Sequence, residues 1–258
     1  MSRIFGLLYG VICYAIGMGA ITYLIFFLGG VFVPRTLDGG QAPALGVAVA
    51  VNVALLLLFA LQHSVMPRRR FKTWLTRVVP PSCERSTYVL ASGLALIVLY
   101  VGWQPMPGVV WSVEHEALRV ALYILQGLGW TVLVAATFML SHWELFGLAQ
   151  VWAHVRGRSV PGPTFRMPGF YRHVRHPIQL GVLLGIWITP DMSAGRLLFC
   201  VAMTMYILAA LVFLEEPDLV REFGDTYRRY RHRAGMLLPK FGGRATSSDG
   251  AARPAARP

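Results

Sequence analysis

Three short clusters of ionisable residues border long uncharged stretches, where such groups are costly to place and default to functional candidates. They are Gln62-His63-Ser64, Ser141-His142-Trp143-Glu144 and Glu215-Glu216. A histidine titrates near neutral pH and can accept or pass on a proton. Two adjacent carboxylates do something different. Negative charge at a helix C-terminus opposes the macrodipole, so Glu215 and Glu216 ask for a cationic partner, either a neighbouring arginine or a bound cationic ligand. A fourth stretch, residues 161–177, holds four prolines and two glycines. Proline fixes φ and keeps the residue before it out of the helical region. This stretch therefore reads as an extended loop that exposes backbone polar groups, aromatics and bases to a ligand. It ends in Arg175-His176-Pro177, whose proline suits the first turn of a helix. The free N–H groups at such a helix start favour an anion such as a carboxylate. A site with one cation-binding end and one anion-binding end suits a zwitterionic amino acid moiety next to a sulfonium.

The elements that must hold these groups are membrane spans. Of 258 residues, 55% are apolar and 14% are charged, against about 25% charged in a soluble domain. That composition excludes a disordered chain and cannot cover an ordinary soluble globule. Residues 4–34, 39–67, 86–113, 120–143, 178–190 and 197–214 carry no charge. Crossing a bilayer core takes about 20 apolar residues. Four runs are long enough alone. The last two, separated by residues 191–196, read as a helical hairpin. The first run is too long for a signal peptide and lacks a clear cleavage site, so it reads as the first span. The expected fold is all-α, a polytopic membrane helix bundle of five to six transmembrane segments with both termini cytoplasmic. Residues 1–150 form the N-terminal helices on the substrate side. Residues 151–241 form a cytoplasmic cofactor loop, the hairpin and a C-terminal cofactor-binding segment. Residues 242–258, rich in Gly, Ala, Arg, Pro and Ser, read as a disordered tail.

The net charge of +12 supports that orientation. Alternating the spans puts 21 Lys/Arg on one side and only Arg35, Arg119 and Arg196 on the other. The positive-inside rule makes the basic side cytoplasmic, where the arginines of the tail face anionic lipid headgroups. No base-reading or stacking motif accompanies the basic residues, which argues against nucleic acid as a partner. Cys13, Cys83 and Cys200 show no metal-ligand spacing, and no metal is expected.

Arg175-His176-Pro177, Gly181, Glu215-Glu216-Pro217-Asp218-Leu219, Phe223-Gly224, Tyr227, Tyr230 and Pro239 together resemble the C-terminal signature of integral-membrane methyltransferases. The isoprenylcysteine carboxyl and phospholipid methyltransferases are members. Gln62-His63-Ser64-Val65-Met66, Glu84-Arg85-Ser86-Thr87-Tyr88 and the motif from His142 through Glu144, Phe146 and Gly147 to Leu148 resemble the bacterial methanethiol S-methyltransferases. They are also similar to membrane proteins associated with denitrification. The resemblance implies a bacterial inner-membrane enzyme, its active site facing the cytoplasm, that uses S-adenosylmethionine to turn methanethiol into dimethyl sulfide. It places cofactor contacts on Thr164, Phe165, Arg166, Tyr171, His176, Pro177 and Glu215, and Arg175, Glu216 and Gln150 are further candidate contacts. Gln179 stands where many relatives have tyrosine, and it can still donate a hydrogen bond. Leu211 stands where the carboxyl methyltransferase has an arginine resembling a carboxylate clamp. A leucine cannot bind a carboxylate, and it suits a small apolar thiol.

The attacking species in such a reaction is the thiolate, so a base or a polar relay would help. His142 and Glu144 are the first candidates, with His63 third. Ser64, Trp143, Phe146 and Leu211 are candidates for lining a thiol pocket. Two other readings remain open: a non-catalytic membrane accessory protein of the denitrification-associated type, and a lipid or prenylcysteine methyltransferase.

Overall fold

The computed structural model describes residues 3–159 and 164–240, so Pro161-Gly162-Pro163 and the expected tail 242–258 lie outside the described residues. The chain folds into α1 (Arg3–Gly29), α2 (Leu45–Val65), α3 (Arg69–Leu75), α4 (Glu84–Gly102), β1 (Val109–Ser112), α5 (Glu116–Leu140), α6 (His142–Leu145), α7 (Leu148–Val155), α8 (Pro177–Trp187), β2 (Asp191–Ser193), α9 (Ala194–Ala210) and α10 (Glu216–Arg233). Five helical segments are long and apolar enough to cross a bilayer: Arg3–Gly29, Leu45–Val65, Pro81–Gly102, Glu116–Leu140 and Ala194–Arg233. The expected all-α membrane bundle is what the chain forms. Its outer faces are apolar, as at Ile12, Leu58, Val101, Ile124 and Met205, all exposed on the protein surface. Side chains of this kind suit lipid rather than water.

The expected hairpin takes a shape the sequence does not announce. Helix α8 has 11 residues, about 16 Å at 1.5 Å per residue. Residues 188–191 follow it into β2, and at about 3.3 Å each they bring the total near the 30 Å of a bilayer core. Part helix and part irregular chain, this segment has about the length that a sixth crossing would need. β2 pairs antiparallel with β1, and Arg119 grips Asp191 through two bonds of 2.8 and 2.6 Å. This small ribbon closes the end of the bundle opposite the ionisable clusters.

Glycines set how closely the helices pack. A Cβ on Gly93 would sit 3.1 Å from the Gly17 Cα, so α1 and α4 touch backbone to backbone there. Helices α5 and α8 approach in the same way at Gly129, Gly181 and Gly185. Small residues at such crossings replace the hydrophobic drive that lipid cannot supply. The buried core, with Phe27, Leu99, Trp103, Ile186 and Phe199, lies toward the ribbon end. Asn52, fully buried, exchanges two 2.8 Å bonds with the backbone of Gln104 and fixes the exit of α4.

The last span runs on as a 40-residue helical segment, kinked at Gly224, whose φ of 55° and ψ of −131° are not helical. A π-helical turn at Leu211–Glu215 separates α9 from α10. The charged helix α10 carries the chain beyond the apolar span.

Candidate active site

The loop before α8 is pinned by the end of the chain. Arg175 N–H donates to the Gly235 carbonyl at 2.8 Å and His176 N–H to Met236 at 3.1 Å, while Gly235 N–H returns a bond to His173. Phe165 packs tilted against Phe223 and edge-to-face against Tyr227 and Tyr230 of α10. Tyr171, 8% exposed, donates to the Ala136 carbonyl of α5. Thr164 and Arg166 are exposed at the start of this stretch. Pro177 is buried at the first turn of α8, where the early amides have no intrahelical acceptor.

The two carboxylates that end the last span part company at the π-turn. One inserted residue in a helix re-aims its side chains, which is why such turns recur at functional sites. Glu216 points into the protein. Its Oε1 accepts from Arg175 Nε at 2.8 Å, His176 Nε2 at 2.8 Å and Tyr227 Oη at 3.0 Å. Its Oε2 pairs with Arg231 at 2.9 Å. Arg175 also donates to the Ala234 carbonyl at 2.8 Å. Of the two partners that the sequence left open for the acidic pair, Glu216 takes the neighbouring arginine. Both Glu216 and Arg175 are committed to this network, a different placement from the ligand-facing one expected. Glu215 remains 40% exposed. Gln179 Nε2 reaches its two oxygens at 3.2 and 3.3 Å, and His176 Nδ1 stands 3.6 Å away. His176 thus bridges the two carboxylates, one on each ring nitrogen.

Inward from Glu215 lie polar groups of α2, α4 and α9. His63 stacks on Phe59. Its Nδ1 is 3.2 Å from Ser92 Oγ, and the Tyr88 hydroxyl is 3.0 Å from Nε2. Ser64 donates to Tyr206 Oη at 3.2 Å. Gln62 donates to Ser92, and its own carbonyl oxygen is buried without a partner. The Glu215 carboxylate lies within electrostatic range of the Tyr88, Tyr171 and Tyr206 hydroxyls. Arg68 pairs with Asp218 and ties the end of α2 to α10.

The remaining candidates form a separate group. His142 is 3% exposed, with Nε2 2.9 Å from the Tyr14 hydroxyl and Nδ1 2.9 Å from Thr137 Oγ1. Phe138 lies flat against it at 4.1 Å. Burial pushes its imidazole below the ordinary 6.5. Trp143 and Phe146 surround it, and Trp143 is half exposed. Glu144 is exposed, and its backbone carbonyl accepts from Gln150 Nε2 at 3.1 Å. Arg85 spans the two groups. It donates to the Leu145 carbonyl at 2.9 Å, and its guanidinium lies 5.3 Å over the Tyr88 ring. Leu211, expected to line a pocket, is completely buried at the π-turn.

This arrangement meets clear relatives. Over 239 residues the chain is 50% identical to the methanethiol S-methyltransferase of Mycobacterium tuberculosis, covering 93% of this chain and 98% of that protein. It is 44% identical over 261 residues to methanethiol S-methyltransferase 2 of Bradyrhizobium diazoefficiens, covering 100% of this chain and 99% of that protein. The chain belongs to the methanethiol S-methyltransferase family. Nurim of Sus scrofa is more distant, 30% identical over 187 residues, covering 69% of this chain and 71% of that protein. No family model matches, and no solved structure matches.

For a member of this methyltransferase family, the two groups differ in what they offer. The Glu215 side combines a solvent-reachable carboxylate, a helix start and a set of hydroxyls. The His142 side is an aromatic box whose imidazole has both nitrogens occupied. Ser92 and Tyr206 did not stand out in the sequence, and Tyr88 entered it only within the Glu84–Tyr88 motif. The signal that marks them is the same one that marked His63, a polar side chain within an apolar span.

Proposed function

We propose that this protein catalyses S-adenosylmethionine-dependent methyl transfer to a small thiol, methanethiol giving dimethyl sulfide, at the cytoplasmic face of a bacterial inner membrane. The observation that carries the reading is the contrast between the two glutamates. Glu216 has its charge met by Arg175 and Arg231, whereas Glu215 has no arginine salt bridge among the described residues, only the more distant influence of Arg68, and stays open to a cation. A sulfonium is a cation that needs no hydrogen bond, and a half-exposed carboxylate held by Gln179 suits it. The first amides of α8, beside His176 and Pro177, suit the carboxylate of the same molecule. The residues present therefore fit S-adenosylmethionine, which when bound supplies an electrophilic methyl group.

The protein has to align the two reactants and keep water away. Gln179 and His176 orient Glu215 from two directions. The loop carrying Tyr171 closes over the end of α5, and Arg68 with Asp218 braces the side between α2 and α10. A neutral thiol is a poor nucleophile, so its proton must leave. Of the candidate bases, His63 faces the hydroxyls next to Glu215, while His142 is held between Tyr14 and Thr137. Leu211, buried and apolar, offers nothing to bind a substrate carboxylate, which favours a small neutral acceptor over a prenylated cysteine.

The test is a product assay. Membranes containing the protein, given S-adenosylmethionine and methanethiol, should release dimethyl sulfide measurable by gas chromatography. Purified protein that binds the cofactor and gives no methylated product from any small thiol would overturn the reading.

A further inference from the structure

A groove runs along the outside of the bundle between α1 and α4, apart from the site described above. Its volume is about 370 Å³, inside the range of roughly 300–1,000 Å³ typical of small-ligand sites. Gly19 and Tyr23 of α1 line one side, and Ile97 and Val101 of α4 line the other. The tyrosines of the groove have their hydroxyls occupied by backbone. Tyr100 donates to the Ala20 carbonyl at 2.8 Å and Tyr23 to the Arg35 carbonyl at 3.1 Å, while their rings stack at 4.9 Å. The trough is thereby left apolar. Gly19 keeps it open. A Cβ there would meet nothing within 4 Å, whereas at Gly17 it would lie 2.5 Å from Val89 of α4. Gly17 lets the helices pack, and Gly19 leaves space beside them. The groove ends at Arg35, in the connection between α1 and α2, at the ribbon end of the bundle. One Nη of Arg35 donates to the Trp103 carbonyl, just past the end of α4, at 3.2 Å. A guanidinium has five N–H donors, and among the described residues no carboxylate pairs with this one. Arg119, at the same end, is by contrast gripped by Asp191.

We propose that this groove binds one phospholipid, with its phosphate on Arg35 and one acyl chain lying between α1 and α4 past Gly19. The two halves of the site match the two halves of that molecule. Arg35 stands where the spans end, at the level of lipid headgroups, with donors to spare in the planar fork that suits a phosphate. The trough leads from it along the spans, toward the middle of the bilayer, and is lined by rings and aliphatic side chains. A lipid seated there touches both α1 and α4 and so ties the two helices together at the ribbon end. Lipid that merely surrounds the bundle would be indifferent to both Arg35 and Gly19. The site lies away from Glu215, so the inference does not depend on the reading of the methyl-donor site.

The full chain purified in detergent tests this, with dioleoylphosphatidylglycerol as the probe and dioleoylglycerol, which has the same tails and no phosphate, as the control. A ligand that binds only the folded protein raises the melting temperature, by roughly 5 °C or more at about a hundredfold excess over Kd. The phospholipid should give a rise of that order and dioleoylglycerol only a small part of it. Two substitutions address the two halves of the site. Arg35→Gln keeps a donor for the Trp103 carbonyl and removes the charge. Gly19→Leu fills the trough, and because leucine is the better helix former, its own melting temperature without lipid should not fall. Both variants should lose the phospholipid-dependent rise. Native mass spectrometry should find one phosphatidylglycerol retained on the wild-type protein and none on either variant. No rise in the wild-type protein, an equal rise with dioleoylglycerol, or a full rise that survives either substitution would each overturn the proposal.

Discussion

Glu215 and Glu216 are consecutive residues in opposite electrostatic situations. Glu216, 5% exposed, is met by Arg175, Arg231, His176 and Tyr227. Glu215, 40% exposed at its side chain, has Gln179 and one edge of His176. The π-turn ending at Glu215 creates the difference, and it turns one acidic pair into a structural anion and an open one.

The open carboxylate gives the first prediction. Glu215→Gln keeps the size and the contact with Gln179 and removes the charge. Hydrogen bonds and contacts to a charged group contribute about 1.5–3 kcal/mol, so S-adenosylmethionine affinity should fall by roughly 10- to 100-fold with little change in thermal stability. Isothermal titration calorimetry reads the first quantity and a melting curve the second. Unchanged affinity would remove Glu215 from the donor site.

The same substitution one residue later should behave in the opposite way. Glu216→Gln leaves Arg175, 8% exposed at its side chain, without its anion. Breaking a buried pair by removing one partner costs about 3–5 kcal/mol. The melting temperature in detergent should drop sharply, and the connection between the loop and the end of the chain at Gly235 should loosen, visible as faster amide exchange at Arg175 and His176. A stable Glu216→Gln protein with weakened cofactor binding alone would reverse the assignment of the two residues.

Much of this fold was readable in advance. The uncharged runs mark the spans because a bilayer leaves few options for a 20-residue apolar stretch. Glu215 and Glu216 stood out because acids are rare there. What separates them was hidden. The stretch Leu211-Val212-Phe213-Leu214 reads as one more apolar turn, and nothing in its composition marks the π-helical pattern it adopts. His142 looked like the best base for a similar reason. Its type and place at the end of a span were visible, but Tyr14, which occupies Nε2, lies 128 positions away in the chain. Tyr88 was visible only as the last residue of the Glu84–Tyr88 motif and carried no role, because a tyrosine near a span end is usually an interfacial anchor. Only the fold shows that its hydroxyl meets an imidazole 25 residues earlier.

His142 supplies a prediction about pH. Burial lowers its pKa below 6.5, so the unfolded chain binds a proton more readily than the folded one. Stability linked to this group is therefore fully present above about 6.5 and is lost as pH falls below it. Melting temperatures measured between pH 7.5 and pH 5 should decline on the acid side, with this one group costing at most about 1.4 kcal/mol per pH unit. His142→Gln, which keeps a side chain able to bond Tyr14 or Thr137, should flatten that decline. An identical pH slope in the variant would mean that other groups carry it.

The last prediction concerns how α8 reaches the site. Its N-terminus and Gln179 are positioned by the contact of α8 with α5, and that contact has no room for a methyl group. A Cβ on Gly181 would collide with the Leu133 backbone nitrogen and lie 2.8 Å from the Gly129 carbonyl oxygen. Neither is the movable end of a side chain. Gly185 is equally closed, 2.5 Å from the Trp130 ring, and its carbonyl accepts from Gln126 at 2.9 Å. Gly181→Ala must push α8 outward, at a cost of about 1–3 kcal/mol for overpacking. Because Gln179 is only two residues away, the displacement should also pull its amide from Glu215. The variant should thus lose both stability and cofactor affinity, whereas Gly127→Ala on the same α5, where nothing lies within 4 Å, should lose neither. Melting curves and calorimetry on the two variants separate the outcomes, and a Gly181→Ala protein with wild-type affinity would show that α8 does not set the geometry of Glu215.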